Sequence, residues 1–253
     1  PKENDIFILE PVLRRASAAI TFYLNEEDHR LYSEKLYRLA MEAVDNASSR
    51  ELKDVWFSIA ASASSACKDL GKLAGLVEGK ANIKGFELNQ DQRWDAINSL
   101  AVAGFRGAGG FIRNELKRDP GDKGLKEAFA ATVAMPENKK THWELFAEGK
   151  QHSLDYLRSG MAHFFSRKQK EQLREFAGLF FESIEGIFRD RNRKYAEDFF
   201  ESLFPRVYVE KGLVENIDRL LAKELPTLLR EFLLEEKDEL ERSLKILEKF
   251  SSS

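Results

Sequence analysis

Apolar residues recur at three- and four-residue spacing along most of the chain, which is the period of a helix with one buried face. The clearest stripes comprise Leu52, Val55, Trp56, Ile59 and Ala63, then Leu173, Phe176, Phe180, Ile184 and Ile187, then Tyr195, Phe199, Phe200 and Leu203. Alternation of apolar and polar residues never continues long enough to predict a strand. The pattern therefore predicts an all-α protein.

Turn-forming residues interrupt these stripes at regular intervals. We predict helix breaks at "VDNASSRE", "EGKANIKGFELNQD", "RDPGDKG", "AMPENKK", "RSGMAHFFSRKQ", "LFPRVYVEKG" and "KELPTLLRE". In "RDPGDKG", we expect Asp119 to end one helix, Pro120 and Gly121 to turn the chain, and Asp122 to cap the next helix. In "NQDQRWDAINSLAVAG", either Asn89 or Asp91 can cap the helix.

Short connections between about a dozen helices favour antiparallel helical hairpins. Their length of roughly 35–45 residues overlaps that of HEAT and armadillo repeats. Because the units share little sequence, we predict an irregular α-solenoid, a HEAT/armadillo-like superhelix, as a single domain over residues 1–253. Residues 79–89 form the longest irregular stretch and are a candidate hinge or loop.

Composition and charge narrow the function classes. The net charge of −3 gives no electrostatic reason to expect a nucleic-acid partner. A single cysteine, Cys67, cannot form an intramolecular disulfide and fits a reducing compartment, so we expect a cytoplasmic protein. No run of about 18 apolar residues predicts a membrane span, and the start does not resemble a signal peptide. The first residue is not methionine, and we therefore expect a fragment of a longer protein.

Common catalytic patterns are missing from the sequence. None of the four histidines, which are His29, His142, His152 and His163, begins an HExxH zinc motif or stands four residues from another. We interpret Cys67, in the small-residue helix "SASSACKDL", as a buried inert thiol rather than a nucleophile. "GAGG" at 107–110 follows no strand, which favours a turn between helices over a phosphate cradle. We therefore expect no catalytic residue and no metal ligand in this chain.

Charged and aromatic clusters also have simple structural interpretations. Pairs such as Glu182 with Glu185, or Glu235 with Glu236, are typical of solvated helix faces. "RDRNRK" at 189–194 is more typical of an exposed turn and the first turn of the next helix than of an anion site. The three tryptophans lie on helical stripes and are expected in the core.

The order of four segments resembles the C-terminal helical domain of M1-family zinc aminopeptidases, the aminopeptidase N-like enzymes, and most of all the bacterial type. The first segment is "NQDQRWDAINSLAVAG", and the second is "ELKRDPGDKG", in which Gly121 replaces a polar residue. "KKTHWELF" and "FFESLFP" follow, before a last helix pair containing "LPTLLREFLLEEKDELERSLK". The resemblance covers nearly the whole chain.

The resemblance implies a parent protein with a β-rich domain and a thermolysin-like domain that holds zinc through HExxH and a distal glutamate. Such a parent removes N-terminal residues from peptides by attack of zinc-activated water. Neither HExxH nor the GxMEN exopeptidase motif occurs here, and "AMEAV" at 40–44 lacks the Gly and Asn of the latter. The chain would therefore be a non-catalytic cap that closes over the catalytic domain of the same polypeptide and gates and positions peptide substrates.

Arg93 is the single candidate for a substrate contact, and two interpretations of it stay open. Trp94 can pack between hairpins while Arg93 bonds a carboxylate or the preceding turn, or Arg93 can reach the peptide cavity directly. No other substrate-binding residue is assigned by motif.

Two other functions are alternatives to the cap. A freestanding HEAT-like protein-interaction scaffold would have similar helices, with an apolar groove for a partner helix. A helical enzyme in its own right would bring carboxylates with perturbed pKa values together in a pocket.

Overall fold

The protein is described by a computed structural model that covers residues 3–149 and 152–251. Within these ranges it has thirteen α-helices and no β-strand beyond an isolated bridge between Ile83 and Phe86, which confirms the all-α prediction. The helices are α1 (Ile6–Phe22), α2 (Glu26–Asn46), α3 (Arg50–Ser64), α4 (Gly71–Glu78), α5 (Gln90–Val102), α6 (Ala108–Arg118), α7 (Asp122–Ala134), α8 (Lys139–Glu148), α9 (Leu154–Met161), α10 (Lys170–Asp190), α11 (Arg193–Leu203), α12 (Lys211–Leu221) and α13 (Thr227–Ser251). Short 3-10 turns occupy Pro136–Asn138 and Arg167–Gln169.

All seven predicted breaks coincide with ends of helices, because turn residues and caps act locally. At the start of α5, Asn89 accepts a hydrogen bond from the Gln92 amide while the Gln92 side chain accepts one from the Asn89 amide. This capping box satisfies two amides that a helix start leaves without partners. The predicted cap at Asp122 was wrong, since Gly121 is the N-cap of α7 and Asp122 is its first helical residue.

The described residues form two compact units, divided between Met135 and Pro136. The prediction of one solenoid domain over residues 1–253 stays a prediction. Among the described residues, no helix is long and apolar enough to cross a membrane.

The first unit is built around α2 and α3, which pack along each other, with α5 packed on α3 and flanked by α6 and α7. Its core includes residues at most 1% exposed, namely Phe57, Leu73, Ile83, Trp94 and Ile97. The irregular stretch 79–89 is a loop that belongs to this core, since Ile83 and Phe86 are buried and Phe86 packs on Phe57 with ring centroids 5.5 Å apart.

Cys67 lies between α3 and α4 rather than in a helix, which corrects the sequence prediction. The helix ends at Ser64, whose hydroxyl donates to the Ala61 carbonyl at 2.7 Å. Serine side chains that bond nearby carbonyls compete with helix continuation, and the Ser65 hydroxyl likewise donates to the Ser62 carbonyl at 3.5 Å. Cys67 is buried, as predicted.

The second unit has an unusually aromatic core. The predicted stripe on α10 is fully buried, from Leu173 to Ile187. Phe180 on this stripe packs against Phe199, Phe200 and Phe204, with centroid distances between 5.5 and 6.1 Å. The segment "FFESLFP" therefore supplies core residues, and α11 ends at Leu203, just before Phe204 and Pro205, as the sequence predicted.

Candidate functional site

Arg93 forms a nearly buried ion pair with Glu115. Its Nε donates to Glu115 Oε2 at 2.7 Å, and its Nη2 lies 2.6 Å from the same oxygen. Nη2 also donates to the carbonyl of Val77, the penultimate residue of α4, at 3.1 Å. The Arg93 side chain is 16% exposed and that of Glu115 is 3% exposed. The geometry favours the structural interpretation, in which Arg93 bonds a carboxylate and the preceding helix.

Trp94, the next residue, donates a hydrogen bond to Asp119, which lies four residues after Glu115. Its indole Nε1 donates to Asp119 Oδ2 at 3.0 Å, and both residues are buried. Asp119 in turn lies against Gly124 of α7, where an added Cβ would overlap the Asp119 carbonyl oxygen and lie 2.7 Å from its Oδ2. The segments "NQDQRWD" and "ELKRDPGDKG" therefore meet in space, and they hold α5, α6 and α7 together.

"KKTHWELF" contributes a buried lysine and a tryptophan to the second unit. Lys139 is 2% exposed, and its Nζ donates to the carbonyls of Phe164 at 2.6 Å and His163 at 3.4 Å. Burial lowers the pKa of Lys139 to about 7. Trp143 packs against Phe164, Phe176 and Phe199 with centroid distances from 5.7 to 5.9 Å. This segment therefore stabilises the unit, and sequence reasoning missed the burial of Lys139.

The basic run "RDRNRK" is a turn, as predicted. Asn192 caps α11 through the Tyr195 amide, and Arg193 pairs with Glu197 at 2.7 Å. Arg191 donates to the carbonyls of Ala147 and Glu148. Arg191 and Arg193 are therefore both bonded within the protein.

Two surface features of the first unit have no evident role in stabilising the fold. One is a cleft of about 520 Å³ between α2 and the segment that joins α3 to α4, which we call the α2 cleft. Its lining residues are Glu34, Tyr37, Arg38, Met41, Glu42, Asp45, Cys67, Lys68, Asp69 and Lys72. Seven of these ten residues carry charge, and the sequence analysis singled out none of them for this cleft. No sequence pattern signals it, because it forms only where α2 packs beside the α3–α4 connection.

The α2 cleft has a buried phenol at its base. Tyr37 is 8% exposed, and its Oη has no hydrogen-bond partner among the described residues. Burial raises the pKa of Tyr37 to about 12, and the neighbouring Cys67 and Asp69 act in the same direction. The phenol is therefore a protonated, unused hydrogen-bond donor at neutral pH.

The second feature is an apolar face on α1. Leu9 and Leu13 pack into the core, yet Phe7 is 85% exposed, Ile8 52% and Val12 56%. Exposed apolar residues clustered on one helix indicate a contact surface more often than isolated ones do.

The described residues contain no group of three potential metal ligands among His, Cys, Asp and Glu.

Fold and surface together define an all-α protein with a cleft beside α2 and an exposed apolar face on α1. No protein-family model matches the chain. Over 250 residues it is 25% identical to the curated protein Aminopeptidase N of Streptomyces lividans. The aligned region is 96% of this chain and 29% of the relative, so the chain spans less than a third of the relative's length.

Proposed function

We propose that this chain is the non-catalytic C-terminal cap of a zinc aminopeptidase that removes N-terminal residues from peptides. The observation that carries the proposal is the similarity to Aminopeptidase N along 96% of the chain. The four segments that resemble the family run in the same order as in the family. In this structure the first two segments contact each other and connect α5 with α6 and α7.

The length difference supports a division of labour within a larger polypeptide. The relative is more than three times as long as the aligned region. In the proposal, the remainder of the longer protein contains the catalytic zinc site, and this chain closes over it. Closure by such a domain limits access by size and can gate turnover. The protein would act in a reducing, cytoplasmic compartment, consistent with its single cysteine.

The exposed face of α1 supports contact with that remainder. Phe7, Ile8 and Val12 would be covered when the catalytic domain packs against the first helix.

A side-by-side assay tests the proposal. The longer reading frame that encodes this chain and the 253-residue chain are expressed, and both are assayed on a panel of aminoacyl fluorogenic amides with and without a zinc chelator. We expect cleavage by the longer protein that the chelator abolishes, and no cleavage by the 253-residue chain. Cleavage by the chain alone, or no cleavage by the longer protein, would overturn the proposal.

A further inference from the structure

A second cleft, which we call the α1 cleft, lies beside the start of α1. Its volume is about 540 Å³, and its walls come from the residues that precede α1, the second half of α2 and the first half of α3. Glu3 and Asn4 line it on the α1 side. Leu52 and Trp56 of α3 are its most deeply buried lining residues, at 5% and 4% exposure. The cleft therefore connects the beginning of α1 with the core of the first unit.

The surface around this cleft is apolar. Leu39 of α2 lines the cleft and is 42% exposed. Phe7 and Ile8 follow Asn4 within four residues and are 85% and 52% exposed. Exposed apolar residues that are grouped in this way usually mark a surface that another segment or protein covers. An occupant of the α1 cleft therefore needs an apolar side chain.

Trp56 offers this occupant a hydrogen-bond donor. A buried indole N–H usually has an acceptor, as in Trp94, whose indole donates to Asp119. The indole N–H of Trp56 donates to no atom of the described residues, although 96% of its side-chain-bearing residue surface is covered. It is also not one of the enclosed polar atoms of the described chain, which include Tyr37 Oη. A carbonyl oxygen that enters the cleft can therefore accept this hydrogen bond.

The charges of the lining restrict the occupant further. The charged residues that line the α1 cleft within the described chain are Glu3 and Glu42, and both are carboxylates. Glu3 Oε1 accepts hydrogen bonds from the amides of Asn4 at 2.9 Å and Asp5 at 2.8 Å. An acidic segment would be repelled by these carboxylates. The lining is therefore suited to a neutral or basic segment of polypeptide.

The course of the chain indicates which segment can reach the cleft. In the proposed function the polypeptide continues upstream of this chain, and the relative is more than three times as long as the aligned region. Because Glu3 and Asn4 line the cleft, an upstream segment is tethered close to it. Five extended residues reach about 17 Å. A short tether gives such a segment an effective concentration in about the millimolar range, so a few contacts are enough to hold it.

We propose that the α1 cleft binds the segment that immediately precedes this chain in the longer polypeptide. An apolar side chain of that segment packs on Leu39 and Leu52, and one of its backbone carbonyls accepts the hydrogen bond from the Trp56 indole. The inference rests on the proposed function for the existence of an upstream segment. It goes beyond the proposed function by naming where this segment binds and which side chains hold it.

Hydrogen exchange of the indole N–H groups, followed by NMR, tests the site. The 253-residue chain is compared with the same chain extended by the ten residues that precede it in the reading frame, and Trp56→Phe assigns the signal. We expect exchange of the Trp56 indole to slow at least tenfold in the extended chain. The Trp94 indole, which is already bonded to Asp119, should exchange equally in both. Unchanged exchange of Trp56, or equal slowing by ten Gly and Ser residues in place of the native segment, would overturn the proposal.

A matched pair of variants locates the contact. Leu39→Asp adds a carboxylate to the cleft and should abolish the slowing in the extended chain. Leu31→Asp alters a leucine of the same helix outside the cleft, at 41% rather than 42% exposure, and should preserve the slowing. Equal effects of the two changes would also overturn the proposal.

The aminopeptidase assay separates this inference from the proposed function. Chelator-sensitive cleavage by the longer protein, together with unchanged Trp56 exchange in the extended chain, would overturn the binding of the segment and leave the proposed function in place. Slowed exchange with an inactive longer protein would support the binding of the segment and overturn the proposed function.

Discussion

The indole of Trp94 donates to the carboxylate of Asp119 at 3.0 Å, across 25 positions of the sequence. This bond joins α5 to the turn between α6 and α7, and the ion pair of Arg93 with Glu115 lies beside it in the sequence. The adjacent arginine and tryptophan therefore bond two different carboxylates on one neighbouring segment. Their pairing is explained by the assembly of three helices.

Removing the acceptor should destabilise the first unit. Asp119→Ala leaves a buried indole N–H without a partner, which we expect to cost about 1–3 kcal/mol of unfolding free energy. Urea denaturation measures this value. Asp122→Ala is the matched control, since the Asp122 side chain is 82% exposed and should cost less than about 1 kcal/mol. Equal effects of the two changes would contradict the role of Asp119.

Gly124 should be intolerant of any side chain. Gly124→Ala would place a methyl group against the backbone and carboxylate of Asp119, and we expect a loss of about 2 kcal/mol or more. Gly110→Ala in α6 meets nothing within 4 Å and should be neutral or stabilising by up to about 1 kcal/mol. Thermal melts of both variants compare these sites, and a neutral Gly124→Ala would show that the close packing is absent.

Mutation of the Arg93–Glu115 pair distinguishes a structural role of Arg93 from a contact with substrate. Arg93→Met leaves the Glu115 carboxylate buried without its counter-ion, which we expect to cost about 3–5 kcal/mol. The double variant Arg93→Met, Glu115→Leu should recover most of this loss, because an apolar pair of similar volume often replaces a buried ion pair at little cost.

Arg14→Met is the control for that experiment, since Arg14 and Glu10 form an exposed pair and the change should cost less than about 1 kcal/mol. If Arg93→Met leaves stability unchanged and raises KM for peptides in the longer protein, the structural role is wrong and the substrate contact is favoured.

Lys139 should make the stability of the chain depend on pH. Its folded pKa is about 7, whereas an unfolded lysine keeps its proton to about 10.4. Between these values the unfolded state binds more protons, so stability rises with pH, by at most about 1.4 kcal/mol per pH unit. Burial also lowers the pKa of His142, and the reference variant used below retains this histidine.

Chemical denaturation at pH 7 and pH 9 measures this effect, with Lys139→Met as the reference that lacks the titrating group. The stability of the parent chain relative to this variant should rise by at least about 1 kcal/mol over the interval. A difference that stays constant with pH would show that Lys139 keeps an ordinary pKa.

The exposed face of α1 should matter only in the longer protein. Phe7→Ser should leave the stability of the 253-residue chain nearly unchanged, because the side chain is 85% exposed. In the longer protein it should increase protease cleavage near α1 and lower activity. Leu125→Ser, which alters another exposed apolar residue, is the control and should have neither effect. If both variants change protease cleavage and activity of the longer protein equally, the exposed face of α1 is no longer evidence for the cap.

Local rules made most helices predictable from the sequence. The stripe from Leu173 to Ile187 and the cap at Asn89 depend on neighbours within a few residues, and both are present. Asp122 was misassigned because Gly121 takes the extended backbone of a cap without offering a side chain. The end of α3 at Ser64 was missed because apolar periodicity continues past it, while serine hydroxyls compete for the backbone.

Long-range partners could not be predicted in the same way. A carboxylate partner for Arg93 was one of two interpretations, but only the fold identifies Glu115, which lies 22 residues away. The acceptor of Trp94 and the burial of Lys139 likewise depend on which helices meet. The α2 cleft was missed because Tyr37 and Cys67 come together only through the packing of α2 beside the α3–α4 connection.

In the proposed function, this chain controls access of peptides to a catalytic site located elsewhere in a longer protein. The most direct measurement is the ratio of kcat/KM for long peptides to kcat/KM for a small aminoacyl amide, in the longer protein with and without these 253 residues. We expect removal to change this ratio severalfold while cleavage of the small amide persists. An unchanged ratio, or loss of activity on both substrates, would contradict it.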